Sequence, residues 1–171
     1  FSIPFVGLDK DGIPVIINEK GEATSTDINF QERQNTGFLK YEGPTDPTIT
    51  GSFGNIFRYK GFKLNVFITY SFGNVIRLDP VFSNEYTDLT SMPKEFKNRW
   101  VLAGEESITT IPTIVTKRQS DTDNHLKTLY NAYNYSTERI AKGDFIRMKE
   151  ISVSYDFPKK WFCLLYTSDA A

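Results

Sequence analysis

The stretch from Ile49 to Gly73 reads ITGSFGNIFRYKGFKLNVFITYSFG and predicts two long strands joined at Lys60-Gly61. In its second half, apolar side chains occupy every second position and mostly polar side chains fill the alternate ones. This period of two is typical of a strand whose two faces meet different surroundings. The apolar positions are Phe62, Leu64, Val66, Ile68, Tyr70 and Phe72, and the opposite face carries Lys63, Asn65, Phe67, Thr69 and Ser71.

The length of this alternation points to a membrane strand. It continues for roughly eleven residues, near the number that a tilted strand needs to cross a bilayer, whereas strands of soluble proteins average about five or six. The preceding strand has Phe53, Phe57 and Tyr59 on one side and Ser52, Gly54 and Arg58 on the other, with Asn55 and Ile56 as exceptions. We therefore predict a membrane β-hairpin with an aromatic-rich lipid face and a polar lumen face.

Composition and charge narrow the class of protein. The chain has 171 residues, of which 20 are basic and 21 acidic, so its charge does not support a nucleic-acid partner. No stretch approaches the roughly 18–20 continuous apolar residues of a membrane helix. A transmembrane barrel remains compatible with this, because half of each of its strands is polar. The only histidine, His125, cannot form a usual zinc site alone, and no cofactor is predicted.

Turn and helix signals organise the rest of the chain. A hairpin is predicted in the first 22 residues, with turns at Asp9-Lys10-Asp11-Gly12 and at Glu19-Lys20-Gly21. A helix is predicted from Met92 to Leu102, because Pro93 suits a first turn and Phe96 and Trp100 would share one face. Gly104 would end this helix.

A last strand is predicted from Asp144 to Phe157, DFIRMKEISVSYDF. From Glu150 onward the two faces separate cleanly, with Ile151 and Val153 on the apolar side. The final nine residues, CLLYTSDAA, resemble a translated transposon adapter of sequencing libraries, so residues 163–171 are expected to be a non-native tail. An ordinary C-terminal tail is the alternative. The chain begins with Phe and shows no signal segment, so the true N-terminus is expected to lie upstream.

Four motifs in this order resemble the C-terminal barrel region of SusC/RagA-type TonB-dependent transporters. They are GPTDPTITGSFGNIFRYKGFKLNVFITYSFGN, NRW, IPT and YNYSTERIAKGDFIRMKEISVSYDFPKKW, with weaker likeness in GLDKDGIP. The resemblance implies an all-β fold, a partial antiparallel transmembrane β-barrel from a family whose barrels have about 22 strands and enclose a plug. Residues 1–162 would belong to the barrel domain, and the plug, the TonB box and the last strands would be missing.

The resemblance also implies a function. In this family, oligosaccharides or peptides enter from outside with the help of a SusD-like lipoprotein, and the TonB complex drives their release inward. The chain would then be part of an active importer in the cell outer membrane of a Gram-negative, Bacteroidetes-like bacterium, with one face on outer-membrane lipid. An enzyme is not expected, because no acidic residue lies in a continuous apolar run that would raise its pKa. A secreted β-sandwich that binds carbohydrate stays open as the alternative.

Loop lengths predict the orientation of such a barrel. Bacterial barrels have short periplasmic turns and long external loops, so Lys60-Gly61 and Pro158 to Lys160 would be periplasmic and residues 74–143 external, with a short helix. A structureless loop of this length is implausible in a compact soluble domain. Aromatic faces stack on sugar rings, and polar wall residues could line the lumen. The candidate substrate contacts are Trp100, Tyr130, Tyr133 and Tyr135 in the loop, and Arg58, Lys63 and Asn65 on the wall.

Overall fold

The computed structural model describes residues 1–26, 28–29, 34–81, 93–115, 119 and 124–158. The chain divides into two compact units. The helical unit consists of Phe1–Thr45 and Val75–Lys142, and the sheet unit consists of Asp46–Asn74 and Gly143–Ala171. The predicted adapter tail, Trp161, and the residues Lys159 and Lys160 of the turn that was predicted to be periplasmic lie outside the described residues.

The sheet unit contains three antiparallel strands of 11 residues each. They are β4 (Ile49–Tyr59), β5 (Phe62–Phe72) and β8 (Phe145–Tyr155), in the order β4-β5-β8. The two residues between β4 and β5 both have positive φ, 45° at Lys60 and 87° at Gly61. Such turns match the right-handed twist of the strands they join, and glycine adopts this backbone at little cost. The predicted hairpin and its turn are confirmed.

The register explains why the alternation of β8 is imperfect. Phe67 pairs with Glu150, whereas the next residue, Ile68, pairs with Met148, so Lys149 is an extra residue in a β-bulge. A bulge shifts the face of every residue beyond it. Strict alternation would place Met148 on the same face as Glu150, but the bulge places it beside Ile68, in the apolar row.

Both faces of the sheet therefore follow the pattern of β5. The apolar face joins Phe57, Leu64 and Val153, then Asn55, Val66 and Ile151, then Phe53, Ile68 and Met148. The polar face joins Arg58, Lys63 and Ser154, then Ile56, Asn65 and Ser152, then Gly54, Phe67 and Glu150. Glycines in β4 make room for large rings of β5, because the ring of Tyr70 lies against Gly51 and that of Phe67 against Gly54.

The helical unit surrounds its own small core. Its strands β1 (Phe5–Leu8), β2 (Pro14–Ile17) and β3 (Ala23–Thr24) form one antiparallel sheet, and β6 (Val75–Arg77) pairs with β7 (Ile140–Lys142). One α-helix, α1 (Asn124–Asn134), and three short 3₁₀ helices (Lys94–Asn98, Glu105–Ser107 and Thr137–Arg139) complete its described elements. The buried apolar residues are Ile3, Ile16, Leu129 and Ala132 in one cluster, Val81, Phe96 and Tyr133 in a second, and Val115 and Tyr130 in a third.

The helix predicted from Met92 to Leu102 is wrong in type and length. Only Lys94–Asn98 is helical, as a 3₁₀ helix, and the chain is extended at Arg99 with ψ of 155°. Phe96 is buried, but Trp100 lies beyond the helix and does not share a helical face with it. Gly104, with φ of 102°, precedes the 3₁₀ helix Glu105–Ser107 and does not end the earlier one. Met92 lies outside the described residues.

The helix α1 lies inside residues 74–143, which the sequence predicted as a long external loop with a helix only at Met92–Leu102. Its inward residues Leu126, Leu129, Tyr130 and Tyr133 have the i, i+3, i+4, i+7 spacing of an amphipathic helix, so the signal was present in the sequence. Asparagine and tyrosine are weak helix formers, so the composition of this segment argues against the helix that the spacing indicates. The helices in the described part of the chain lack the length and the apolar composition of a membrane-spanning helix.

Candidate functional site

Aromatic side chains border the apolar face of the sheet at both ends. Near the Lys60-Gly61 turn, the rings of Phe62 and Tyr155 have centroids 4.5 Å apart. At the opposite end of β5, the rings of Tyr70 and Phe72 are stacked with centroids 5.6 Å apart. Phe62 and Tyr70 are eight positions apart in β5, which corresponds to about 27 Å along a strand. In a strand tilted by about 40°, this distance spans roughly 21 Å along the barrel axis. An apolar band of about 25 Å between aromatic girdles is the outer surface of a bacterial barrel.

Solvent exposure distinguishes this sheet from one in a soluble protein. The strands β4 and β8 are exposed along almost their whole length, on both faces. The exposed side chains of the apolar face include Phe53, Phe57, Ile146, Met148, Ile151 and Val153. Soluble monomers rarely expose a continuous apolar surface of this extent. A lipid environment would cover it without a second protein layer.

The polar face brings the three predicted wall residues together. Arg58 lies directly opposite Lys63, so two cations adjoin at the turn end of the face. Asn65 donates a hydrogen bond from Nδ2 to Oε1 of Glu150 over 2.6 Å. The hydroxyl of Ser152 donates to the same oxygen over 3.3 Å. These side chains form a charged, hydrogen-bonding wall that suits a water-filled lumen.

Tyr130 and Tyr133 do not lie at a surface, which corrects their prediction as candidate substrate contacts. Both are buried on the inner side of α1, in the core of the helical unit. The hydroxyl of Tyr130 donates to the carbonyl oxygen of Thr113 over 2.9 Å, and that of Tyr133 to the carbonyl oxygen of Thr110 over 3.0 Å. Their rings and their polar tips thus hold α1 against residues 110–113 and are not free to stack on a sugar.

Tyr135 is the predicted loop aromatic that the structure leaves exposed. The guanidinium carbon of Arg77 lies 5.1 Å from its ring centroid, a cation–π contact that orients the ring. The tyrosine borders an open pocket of about 410 Å³, most of whose wall is apolar. The residues that line this pocket are Phe1, Ser2, Ile3, Leu39, Asn131 and Tyr135.

Trp100 is half-buried, and its ring lies against Gly12. Its indole Nε1 donates to Oε2 of Glu106 over 3.3 Å. Its backbone N–H donates to the carbonyl oxygen of Ile111 over 2.9 Å. One face of the indole is therefore covered by the β1–β2 turn, and Trp100 has a structural role there in addition to any contact with a ligand.

The turns after β1 and β2 are built in the same way. Oδ1 of Asp9 accepts hydrogen bonds from the backbone N–H groups of Asp11 and Ile13, both over 2.9 Å. Oδ1 of Asn18 accepts from those of Lys20 and Glu22 over 3.0 and 2.9 Å. Each turn has a glycine with positive φ, Gly12 at 73° and Gly21 at 81°. The two predicted turns are confirmed, and the Asp9 carboxylate serves the backbone as an Asx-turn acceptor does.

The two matched glycines allow a sharp test of the Trp100 contact. We expect Gly12→Ala to destabilise the helical unit by more than Gly21→Ala does. Both changes place alanine at a positive φ, which costs about 1–3 kcal/mol. Only at Gly12 would the new Cβ meet the indole ring, because nothing lies within 4 Å of it at Gly21. Hydrogen exchange of the β1–β2 amides in the full-length parent would measure both changes, and equal effects would contradict the packing of Trp100 on this turn.

Burial makes Tyr133 sensitive to alkaline pH. Desolvation raises the pKa of its phenol to about 12, from about 10 in an unfolded chain. The folded state therefore keeps its proton where the unfolded state loses it. The stability that Tyr133 contributes is complete below pH 10 and is lost as the pH rises through about 12. Ultraviolet titration of the full-length parent should show one late-titrating tyrosine fewer after Tyr133→Phe, and an unchanged titration after this substitution would contradict the assignment.

Comparison with known proteins places this fold. No family model matches the chain. The chain is 27% identical over 145 residues to a TonB-dependent receptor of Formosa agariphila, and the match covers 77% of this chain and 12% of that protein. Its fold is similar to that of a chain in the RagAB peptide importer, solved in an 'open-open' state, with a TM-score of 0.59 and 18% identity.

The structural match covers 97% of this chain and 16% of the importer chain. The chain thus spans only a small part of the length of both relatives. The observed antiparallel strands with one described helix confirm the predicted all-β fold of a TonB-dependent barrel segment. Sequence and fold together confirm the resemblance: this chain is like a segment of a SusC/RagA-type TonB-dependent transporter.

Proposed function

We propose that the chain is part of the wall and the external loops of an outer-membrane, TonB-dependent importer in a Bacteroidetes-type bacterium. The observation that carries this proposal is the β4-β5-β8 sheet. Its strands have membrane-spanning length, one face is an apolar band between aromatic girdles, and the other carries charges and amides. The sequence and fold similarities to transport proteins support the same assignment.

The orientation follows from where the strands begin and end. The tight Lys60-Gly61 turn joins β4 and β5 at one end of the strands, and this end would face the periplasm. At the opposite end of the strands, β4 begins, β5 ends and β8 begins, so the chain leaves and re-enters the sheet at this end. Residues 75–142 would then be external. The described residues of this segment include α1 and pack together with residues of the first 45 positions, such as Ile3 and Ile16, around buried side chains.

The cargo that we propose is an oligosaccharide or a peptide. Tyr135 and its pocket are the external contact that the geometry favours, because Tyr130 and Tyr133 are buried and one face of Trp100 is covered. Arg58, Lys63 and Asn65 would line the path through the lumen. A wall of this kind moves its cargo without making or breaking covalent bonds, so the proposed activity is transport and not enzymatic catalysis.

Two protein partners belong to the proposal. The RagAB importer is similar in fold to this chain, and we propose that the parent protein works with a SusD-like surface lipoprotein. Release of cargo into the periplasm would require the TonB complex.

The decisive experiment uses the full-length parent in its outer membrane. We expect a band whose gel mobility changes on heating, as folded barrels show, and uptake of a labelled glycan or peptide that stops when TonB is deleted. Uptake that persists without TonB would overturn the coupling. A barrel segment on its own has open strand edges, whose unpaired backbone groups cost several kcal/mol each in lipid, so residues 1–162 alone should not fold stably. A soluble, cooperatively unfolding monomer from these residues would overturn the barrel assignment.

The same experiment separates this proposal from a secreted β-sandwich that binds carbohydrate. A sandwich buries one face of each sheet against the other, whereas β4 and β8 are exposed on both faces in this structure. A parent protein that is soluble in buffer without detergent would favour the sandwich.

A further inference from the structure

Phe67 is an aromatic residue on the polar face of the sheet, among charges and amides. It is the central residue of β5, so it lies midway between the two ends of the strand. The strand is paired on both sides, to β4 and to β8, and most of its residues are partly shielded. Phe67 is nevertheless 37% exposed, on the face opposite the aromatic girdles. Contact with lipid therefore does not explain this exposed ring.

The ring of Phe67 leans over its cross-strand neighbour Gly54. A Cβ added at Gly54 would lie 3.1 Å from Cδ2 and 3.7 Å from Cε2 of the ring, so this side of the ring occupies the space of the missing side chain. A ring in this position covers backbone that a strand glycine leaves bare. Packing on Gly54 thus accounts for one side of the ring, and the exposed remainder faces the proposed lumen.

A hydrogen-bonded carboxylate borders this ring. Glu150 lies directly opposite Phe67, in β8. Its Oε1 accepts hydrogen bonds from Nδ2 of Asn65 over 2.6 Å and from the hydroxyl of Ser152 over 3.3 Å. Within the described part of the chain both hydrogen bonds go to the same oxygen, which leaves Oε2 to accept from a ligand. The wall therefore holds the carboxylate in place while one of its oxygens stays available.

The β-bulge at Lys149 directly adjoins this carboxylate. It lies between the pair Phe67 and Glu150 and the pair Ile68 and Met148. Bulges re-aim side chains and are over-represented next to functional sites. Here the bulge keeps Glu150 beside the ring and moves Met148 to the apolar row. The bulge is thus a second feature, independent of the exposed ring, at the same point of the wall.

We propose that Phe67 and Glu150 form a sugar-binding subsite on the lumen wall, and that the cargo of the importer is an oligosaccharide. This inference rests on the proposed function and chooses between its two classes of cargo. A pyranose has C–H groups on its faces, which pack on an aromatic ring, and hydroxyl groups at its edge, which donate to a carboxylate. The exposed ring and the available carboxylate oxygen belong to directly paired residues, so one sugar can contact both.

A peptide is a poorer occupant of this position. Extended peptides are recognised by pairing with a free strand edge and by pockets for their side chains. β5 offers no free edge, because β4 and β8 pair with its two sides. The ring of Phe67 also fills the space over Gly54, where a pocket would otherwise lie. This part of the wall suits a ligand with an apolar face and hydroxyl groups at its edge.

The test measures the initial rate of TonB-dependent uptake by cells that carry the full-length parent. One probe is a labelled oligosaccharide mixture from partially hydrolysed plant and yeast cell walls, and the other is a labelled mixture of random decapeptides. We expect uptake of the sugars, and Phe67→Leu should lower its rate about fivefold, because leucine stays apolar but lacks a ring. Phe67→Tyr keeps the ring and should retain the rate. The matched control is Phe53→Leu, which should not change it, because Phe53 is exposed on the opposite face.

Glu150→Gln supplies a second test that leaves the ring in place. Glutamine still accepts from Asn65 but lacks the charge, so uptake of the sugars should fall about threefold, because charge-assisted hydrogen bonds are the stronger ones. The heat-modifiable band shows whether each variant folds. If Phe67→Leu loses this band, Glu150→Gln decides alone.

Three results would contradict these assignments, and they are distinguishable. Unchanged uptake of the sugars in either variant that folds, or an equal loss in Phe53→Leu, would overturn the subsite. Uptake of the peptides alone would overturn the choice of cargo, while the proposed function stands. If the parent takes up neither mixture, the proposed function itself fails.

Discussion

Replacing Ile151 with arginine in the full-length parent is expected to destabilise the barrel by about 2–4 kcal/mol. Ile151 pairs with Val66 in the middle of the apolar face, where the proposal places the centre of the lipid bilayer. A charged side chain that faces lipid at this depth costs this amount, and less toward the interfaces. Denaturant unfolding of the parent in lipid vesicles would measure the change, with the loss of the heat-modifiable band as a simpler readout.

The neighbouring residue provides the control, because Ser152 lies on the opposite face of the same strand beside Asn65. We expect Ser152→Arg to change the stability by no more than about 0.5 kcal/mol, as is usual for a change at a hydrated surface. An equally large loss from both substitutions would show that both faces are buried. Tolerance of Ile151→Arg would remove the assignment of this face to lipid.

The second large effect is expected from Arg139→Ala, which should lower the opening free energy of the helical unit by about 3 kcal/mol. Arg139 is only 1% exposed. Its Nη2 donates to Oε1 of Glu95 over 2.6 Å and also contacts the carbonyl oxygen of Asp79. Removing the cation leaves a cavity and an unpaired carboxylate. The carboxylate side chain of Glu95 is 36% exposed and can be rehydrated, so the effect lies at the low end for broken buried pairs.

Arg77 is the matched control in the same unit. It is exposed, and it donates to the carbonyl oxygen of Phe1 over 3.0 Å and lies over the ring of Tyr135. We expect Arg77→Ala to cost about 0.5–1 kcal/mol, the value of an exposed cation–π contact. Hydrogen exchange of the α1 amides in the parent would measure both variants. If Arg139→Ala leaves this exchange as slow as in the unsubstituted protein, the buried pair does not hold the unit together.

Local patterns account for the hairpin and the turns. The alternation over residues 62–72 predicts which side chains lie on each face of one strand. The dipeptide Lys60-Gly61 predicts a tight turn that needs positive φ. The repeated pair of Asx turns at Asp9 and Asn18 is equally local, because each side chain bonds to a backbone group two or four residues on. Such features need no partner from elsewhere in the chain.

Local sequence patterns do not determine which aromatic residues of the candidate site are buried. Tyr133 and Tyr135 are two positions apart in a run that is rich in asparagine and tyrosine, and composition treats them alike. The helix turns Tyr133 into the core, whereas Tyr135 follows the end of α1 and is exposed. Burial depends on the direction of a side chain relative to distant residues such as Val81 and Phe96.

The amino-acid sequence was sufficient for the hairpin of residues 49–73, its two unlike faces and its turn, because these follow from interactions between residues close in the chain. Tertiary structure was needed for the bulge at Lys149, since register is set by the paired strand, which lies about eighty positions earlier in the sequence. The tertiary structure also determines that Tyr130 and Tyr133 are buried, whereas Leu102 and Ile108 are exposed. The helical spacing of Leu126, Leu129, Tyr130 and Tyr133 marks one face of α1, but that face is buried only because distant residues such as Val81, Phe96 and Val115 pack against it.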